Sequence, residues 1–334
     1  MFPTEFTVGP AASGYPLKGF PSDFDIVVTG CEIASNGGTP MAEEREKVLA
    51  AYSRMQGVPG WSMRIASAGA DGFDDGKDRF AISRPAEGWA FPLWHELPDW
   101  LRTNCAGKHI LMDLTTLSGS SIFQLHAAAI RAANVRVSYC YTTPKHYPQV
   151  DRPDEVPPVV TRSIKQPYGY RSFAQEHGSN TVRRHVIVLG FDRHRPNKFI
   201  EHYQWPMSDV RVLLGDPAYV SGGVEQAKKS LGTVFGELER AGNVCIINPK
   251  LLQSTTTELG VVDALTALAV GADGIDIVPL GPKPTLLGSV VYWHGLSHVQ
   301  QERTRILYDF PVSRQVRTTG VSVTWLYKHV IQPQ

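Results

Sequence analysis

The sequence predicts an α/β fold with two lobes, each a mainly parallel sheet flanked by helices. Three observations predict it. Apolar runs of strand length alternate with helix-period segments along most of the 334 residues, and parallel neighbours need such crossovers. The turns between them are short, and right-handed crossovers then place helices on both faces of a sheet. The length exceeds one ordinary core and suggests two domains, or one duplicated one.

Taken in order, residues 1–23 are rich in Pro and Gly, lack a period, and read as an N-terminal arm. Residues 24–144 form the first expected lobe. A short buried strand, DFDIVVTGCE (23–32), leads through a glycine-containing loop to a helix at 41–55. Pro40 suits its first turn, and Glu43 and Glu44 favour its positive end. A second strand is expected at 62–69. Residues 70–93 look polar and irregular, and 93–105 reads as a helix broken at Pro98. The segment 108–144 is strand, loop, helix, strand. Ser118 or Ser120 can cap that helix, and Ile122, Phe123, Ala127, Ile130 and Ala133 recur along one face. Residues 145–183 hold Pro148, Pro153, Pro157, Pro158 and Pro167 and read as a linker or long excursion.

Residues 184–334 form the second expected lobe. Strands are expected at 184–192, 210–217, 243–249, 274–281 and 304–311. Helices are expected at 195–204, 222–242, 255–272 and 284–295. Thr255 with Glu258 makes a capping box for the third of these helices. Residues 321–331 end as a strand or a short helix. The two halves together read as two Rossmann-like lobes. An old duplication would account for both, although no residue-level repeat is visible.

Bulk composition excludes several classes. Hydrophobic residues make up 42% and charged residues 19%, as in a folded chain. The formal net charge of +1 exerts no strong pull toward nucleic acid or acidic membranes. No apolar run approaches the roughly 20 residues that span a bilayer. The first twenty residues lack the basic start and apolar stretch of a secretory signal. A cytoplasmic location without membrane contact is expected. Cys31, Cys105, Cys140 and Cys245 form no CxxC pair, which argues against a thiolate zinc site and a disulfide framework.

Ligands of an open parallel sheet bind beyond the carboxyl ends of its strands, and that rule selects the candidates. In the second lobe these ends carry Asp192, Arg193, His194 and Arg195, then Asp216, Asn248, Gly281 with Lys283, and Asp309. The following helices turn unpaired N–H groups, worth about half a positive charge, toward the same rim. In IVPLGPKPTLLG (277–288), Pro284 suits the first helical residue, and the Gly281 backbone with Lys283 could cradle an anion. A tight turn with a solvated lysine would use the same residues. In GFDRHRP (190–196), Arg193 or Arg195 could pair with a phosphate, with Asp192 holding the arginine or a ribose hydroxyl. A solvated charged loop is the alternative. Arg317, in QVRTTG (315–320), belongs to a phosphate loop or to an ordinary turn.

In the first lobe, Glu32 and Asp113 follow strands and are the one carboxylate pair placed for acid–base work. Asp113 equally suits an internal carboxylate that fixes its own loop. GxxxxGK[ST], GxGxxG after the first strand, GxSxG and HExxH are all missing, so no cofactor and no metal is assigned.

The runs VLGFDRHRP (188–196), INPKLLQSTTTELGVVDAL (247–265) and VPLGPKPTLLGSV (278–290) resemble the Rossmann-like ligand sensors of bacterial immunity, the CARF and SAVED families. The resemblance covers about half the chain. It implies recognition of an oligonucleotide messenger at the strand ends. Such sensors are usually fused to an effector; none is visible here, so the effector would be a separate protein.

Three functional readings follow. The first is a binder of a nucleotide-like, phosphate-bearing ligand at the strand rim, acting as a sensor or regulatory component of a bacterial defence system. The second is a hydrolase of a nucleotide, NAD or an N-glycosidic bond, using Glu32 and Asp113. The third is a non-catalytic interaction scaffold. Whether the chain is an enzyme stays open at this level, and each reading is compatible with a homo-oligomer.

Overall fold

The computed structural model describes residues 2–9, 15–30, 44–65, 79–84, 87–147, 168–169, 182–192, 194–309 and 318–332. They form an α/β structure with two sheets, divided into two compact units, Met1–His146 with Thr318–Gln334, and Tyr147–Arg317. In chain order the first unit contributes β1 (Thr4–Thr7), β2 (Ile26–Gly30), α1 (Val48–Gln56), β3 (Gly60–Ile65), β4 (Phe80–Arg84), β5 (Gly88–Ala90), α2 (Leu97–Cys105), β6 (His109–Asp113), α3 (Gly119–Ala132) and β7 (Arg136–Thr142). The second contributes β8 (Tyr168–Gly169), β9 (Arg183–Val188), α4 (His194–Tyr203), β10 (Val210–Gly215), α5 (Gly223–Leu231), α6 (Thr233–Arg240) and β11 (Val244–Ile247). It continues with α7 (Val261–Ala269), β12 (Gly274–Pro279), α8 (Lys283–His294), α9 (His298–Arg303) and β13 (Thr304–Tyr308). The chain then re-enters the first unit as β14 (Val323–Ile331).

The first sheet has the order β1-β14-β7-β6-β2-β3-β4-β5. Its core, β7-β6-β2-β3, is parallel, and antiparallel strands extend both edges. Alternate residues turn to one face, where Val27, Leu111, Cys140 and Leu326 pack with Val48, Leu49 and Tyr52 of α1. Phe20 and Phe24 complete that cluster, and the Tyr52 hydroxyl donates to the Pro21 carbonyl at 2.5 Å. The segment expected to be a leading arm therefore belongs to this unit, because its aromatics carry core area and β1 pairs with β14. Two further expectations change. Residues 80–90 hold the edge strands β4 and β5, too short to show a period. Pro98 sits in the first turn of α2 instead of breaking a helix, since a missing N–H costs nothing there.

The second sheet has the order β11-β10-β9-β12-β13-β8. The first five are parallel, and β8 is antiparallel to β13. The alternation of β9 explains the helices on both faces. Ile187 and Leu189 pack with Phe199, Leu231, Phe235 and Leu238 from α4, α5 and α6. Val186 and Val188 pack with Val261, Leu265 and Tyr292 from α7 and α8. Each such buried side chain contributes roughly 1.5–3 kcal/mol.

The long helix expected over 222–242 is two helices. Gly232 adopts φ 61° and ψ −134°, between α5 and α6, a conformation other residues resist. The helix expected from 255 starts at Val261. The Thr255 hydroxyl instead accepts from the Thr257 and Glu258 N–H groups in a local turn. The last strand, expected to close the second lobe, lies between β1 and β7 of the first sheet.

At the amino-terminal half of the second sheet, Asp276 is fully buried in β12. It accepts from Arg183 (2.7 Å), from Arg305 twice (2.6 Å each) and, at 2.9 Å, meets the His185 ring. Burial alone would raise its pKa, but these partners hold it well below the usual carboxylate range. The network is saturated and lies away from the strand C-termini, so it is a device of folding.

Candidate functional site

The carboxyl ends of β9, β10, β11 and β12 share one rim. From β9 the chain moves outward through β10 to β11, then returns to the other side of β9 as β12 and β13. Loops therefore diverge at β9, and such divergence opens a crevice. A crevice of about 460 Å³, including its open mouth, is lined here by Tyr147, Phe191, Tyr219, Pro249, Pro282 and Thr285.

Each wall has a local cause. Phe191 follows β9 and meets Tyr147 edge-on, with ring centroids 5.4 Å apart. Tyr219 follows β10, and its hydroxyl donates to the Pro249 carbonyl at 3.1 Å. The Lys250 ammonium lies 5.8 Å from the centre of the Tyr219 ring. Gly223 opens α5 on the crevice side, and a Cβ there would stand 2.8 Å from Ala218 and 3.1 Å from Phe191. Neither α5 nor α8 has a side-chain cap at its start. The result is an apolar, aromatic slot bordered by a cation and two helix openings.

The expected site residues divide in this setting. Asp192 is buried, and neither carboxylate oxygen has a hydrogen-bond partner among the described residues. Arg195 is buried against Asp309, with Nε donating to Oδ2 at 2.7 Å and Nη2 donating to Oδ1. Burial alone would lower its pKa, but Asp309 outweighs that and raises it, with Tyr308 and Asp192 adding to the effect. Its fork is thus spent inside the unit. Asp216 is exposed, and its backbone N–H donates to Ile247 at 2.8 Å. Asn248 fixes its own turn. It accepts from the Lys250 N–H and donates to Glu258, both at 3.0 Å.

Gly281 serves close approach. A Cβ there would lie 2.7 Å from the Thr285 hydroxyl and 3.2 Å from Leu189 O. Lys283 is half-buried in the first turn of α8. Arg193, Arg317 and Glu32 lie outside the described residues, so their placement relative to the crevice is not part of this geometry.

In the first unit Asp113 is fully buried. It accepts from the Thr115 N–H at 2.9 Å and the Thr116 hydroxyl at 3.0 Å. Thr115 Oγ1 then accepts from the Thr142 N–H, and Thr116 Oγ1 from the Gly30 N–H. This is the carboxylate that fixes its own loop.

Sequence reasoning missed Phe191, Tyr219, Tyr147 and Lys250. Their signal was weak, because an aromatic next to a strand end is also an ordinary core residue. Among the described residues no group of three or more His, Cys, Asp and Glu side chains could hold a metal ion. No helix there is long and apolar enough to cross a membrane. No protein-family model matches this sequence, and no curated protein matches it.

Proposed function

We propose that the second unit binds a nucleotide-like, phosphate-bearing ligand at its strand rim. The observation that carries this reading is the aromatic slot itself. Phe191 and Tyr219 offer faces for a planar base, and ring stacking of this kind contributes roughly 1–3 kcal/mol per base. The phosphate end would lie toward Lys250, Lys283 and the uncapped starts of α5 and α8. Asp192 would accept from a ribose hydroxyl, which supplies a donor to a carboxylate that has no hydrogen-bond partner among the described residues.

The strand order supports the same assignment. It runs third, second, first, fourth, fifth, the order of Rossmann-like dinucleotide-binding sheets, and the slot lies where the order turns back. Within this reading the chain is a sensor or regulatory subunit of the CARF or SAVED kind in a bacterial defence system, working with a separate effector. The hydrolytic alternative gains nothing from Asp113, whose two oxygens are occupied by Thr115 and Thr116.

Calorimetry of the full chain against a nucleotide panel tests it. At least one member is expected to bind, with affinity falling about tenfold or more in Tyr219→Ala and in Asp192→Asn. Absence of heat from every member, or equal affinity in both variants, overturns it.

A further inference from the structure

A second site emerges in the first unit, independent of the slot. Its parallel core also has its first strand inside the sheet. From β2 the chain moves to β3 on one side, while β6 lies on the other. The strand order turns back at that point, and α3, 14 residues long, follows β6. The loop is held rigidly by Asp113, a positioning residue, through Thr115 and Thr116.

Three serines gather at this helix start. Ser118 Oγ accepts from the Ser121 N–H at 3.1 Å and lies 3.0 Å from Ser120 Oγ and 2.8 Å from Ser121 Oγ. Three hydroxyls carry three protons, and the two contacts inside the trio use two. One O–H is left to point at something else.

The independent observation is Gln124. It is fully buried, and neither its amide oxygen nor its amide nitrogen has a hydrogen-bond partner among the described residues. An unsatisfied buried polar group costs roughly 1–3 kcal/mol. Leucine or methionine would fill the same helix position without that cost. Gln124 stands three and four residues after Ser121 and Ser120, on the same helix face. Helical side chains lean toward the amino end, so the side chain is directed toward the serine end of α3.

We propose that the start of α3 is a binding site for a tetrahedral oxyanion of the phosphoryl type, held by the one O–H that the serine trio leaves over, at Ser120 or Ser121, by the Gln124 amide N–H and by the first-turn backbone N–H groups. The named donors are all neutral. They suit an oxyanion whose charge is met by the helix opening and by hydrogen bonds.

The test is calorimetric titration of inorganic phosphate into the full chain at constant ionic strength. Wild type, Gln124→Met, Ser120→Ala and Tyr219→Ala are compared, each with a melting curve. Gln124→Met keeps the shape and removes the amide, so its melting temperature is expected to equal or exceed that of wild type. Phosphate binding is expected to weaken about tenfold or more in Gln124→Met and Ser120→Ala, and to persist in Tyr219→Ala. Absence of phosphate heat in wild type overturns the proposal. So does wild-type affinity in Gln124→Met, which would mean that the buried amide holds only water, and so does loss of the heat in Tyr219→Ala.

Discussion

Arg195 shows how far a single charged residue can be read from its neighbours in the chain. Its position after a strand, in a run with Asp192 and Arg193, marks it as a rim residue. Its partner, Asp309, is 114 residues away, and no local pattern announces that pairing. The same limit applies to Asp192, whose place at a strand end is legible while its lack of a hydrogen-bond partner among the described residues is not. Asn248 and Asp113 were legible as strand-end polar groups, but their bonds turn back into their own loops. The Arg195–Asp309 pair carries a prediction. Both side chains are buried, so Asp309→Asn leaves a guanidinium without its counter-charge. The second unit is expected to lose about 3–5 kcal/mol, read from urea unfolding, whereas a loss below about 1 kcal/mol would show that water reaches the pair.

Among the elements, the strands of both parallel cores were legible from their apolar runs, because strands buried on both faces leave few polar positions. Their helix boundaries were not. Gly232 and the turn around Thr255 act through backbone angles and local hydrogen bonds that hydrophobic period does not register. The two units also share a feature at a glycine at or just past the end of the first strand of their parallel cores, Gly30 of β2 and Gly190 after β9. A Cβ on Gly30 would stand 2.2 Å from Thr116 O, and one on Gly190 2.1 Å from Leu280 O. In each case the end of the strand region lies against the backbone of the loop that follows the neighbouring strand across the sheet. Gly190→Ala must push backbone aside and is expected to cost more than about 2 kcal/mol. Gly281→Ala first meets the Thr285 hydroxyl, which donates to the Pro282 carbonyl at 2.7 Å, and giving up that bond costs about 1 kcal/mol. Denaturant midpoints of the two variants check the ranking, and a reversed order would mean that the Leu280 loop yields more easily than the helix cap.

Across the whole chain, each parallel core places its own first strand, β2 or β9, in the interior, yet on the side of the first crossover only the second unit continues parallel, from β10 to β11. The first substitutes the antiparallel strands β4 and β5, and it takes β14 from the end of the chain. Membership of a terminal strand depends on which edge is open, and periodicity within the strand carries no such information. The units also differ in how they store protonation free energy. In the first, His109 is buried, its ring nitrogens 3.0 Å from the Asp23 carbonyl and 2.8 Å from the Ser138 hydroxyl. Burial lowers its pKa despite the opposing carbonyl. The unfolded chain therefore takes up this proton first, and stability is lost as pH falls below about 6.5. In the second unit the depressed Asp276 carboxyl contributes fully above about pH 4. Its contribution is lost only as pH falls from there toward the folded value. Amide exchange, corrected for its intrinsic pH dependence, is expected to rise in β6 peptides between pH 7 and 5. The β12 peptides are expected to stay protected until below about pH 4. One proton contributes at most about 1.4 kcal/mol per pH unit to each slope. His109→Phe is expected to flatten the first slope alone, and Asp276→Asn the second alone. A β6 slope that survives His109→Phe would assign the acid sensitivity of the first unit to another group.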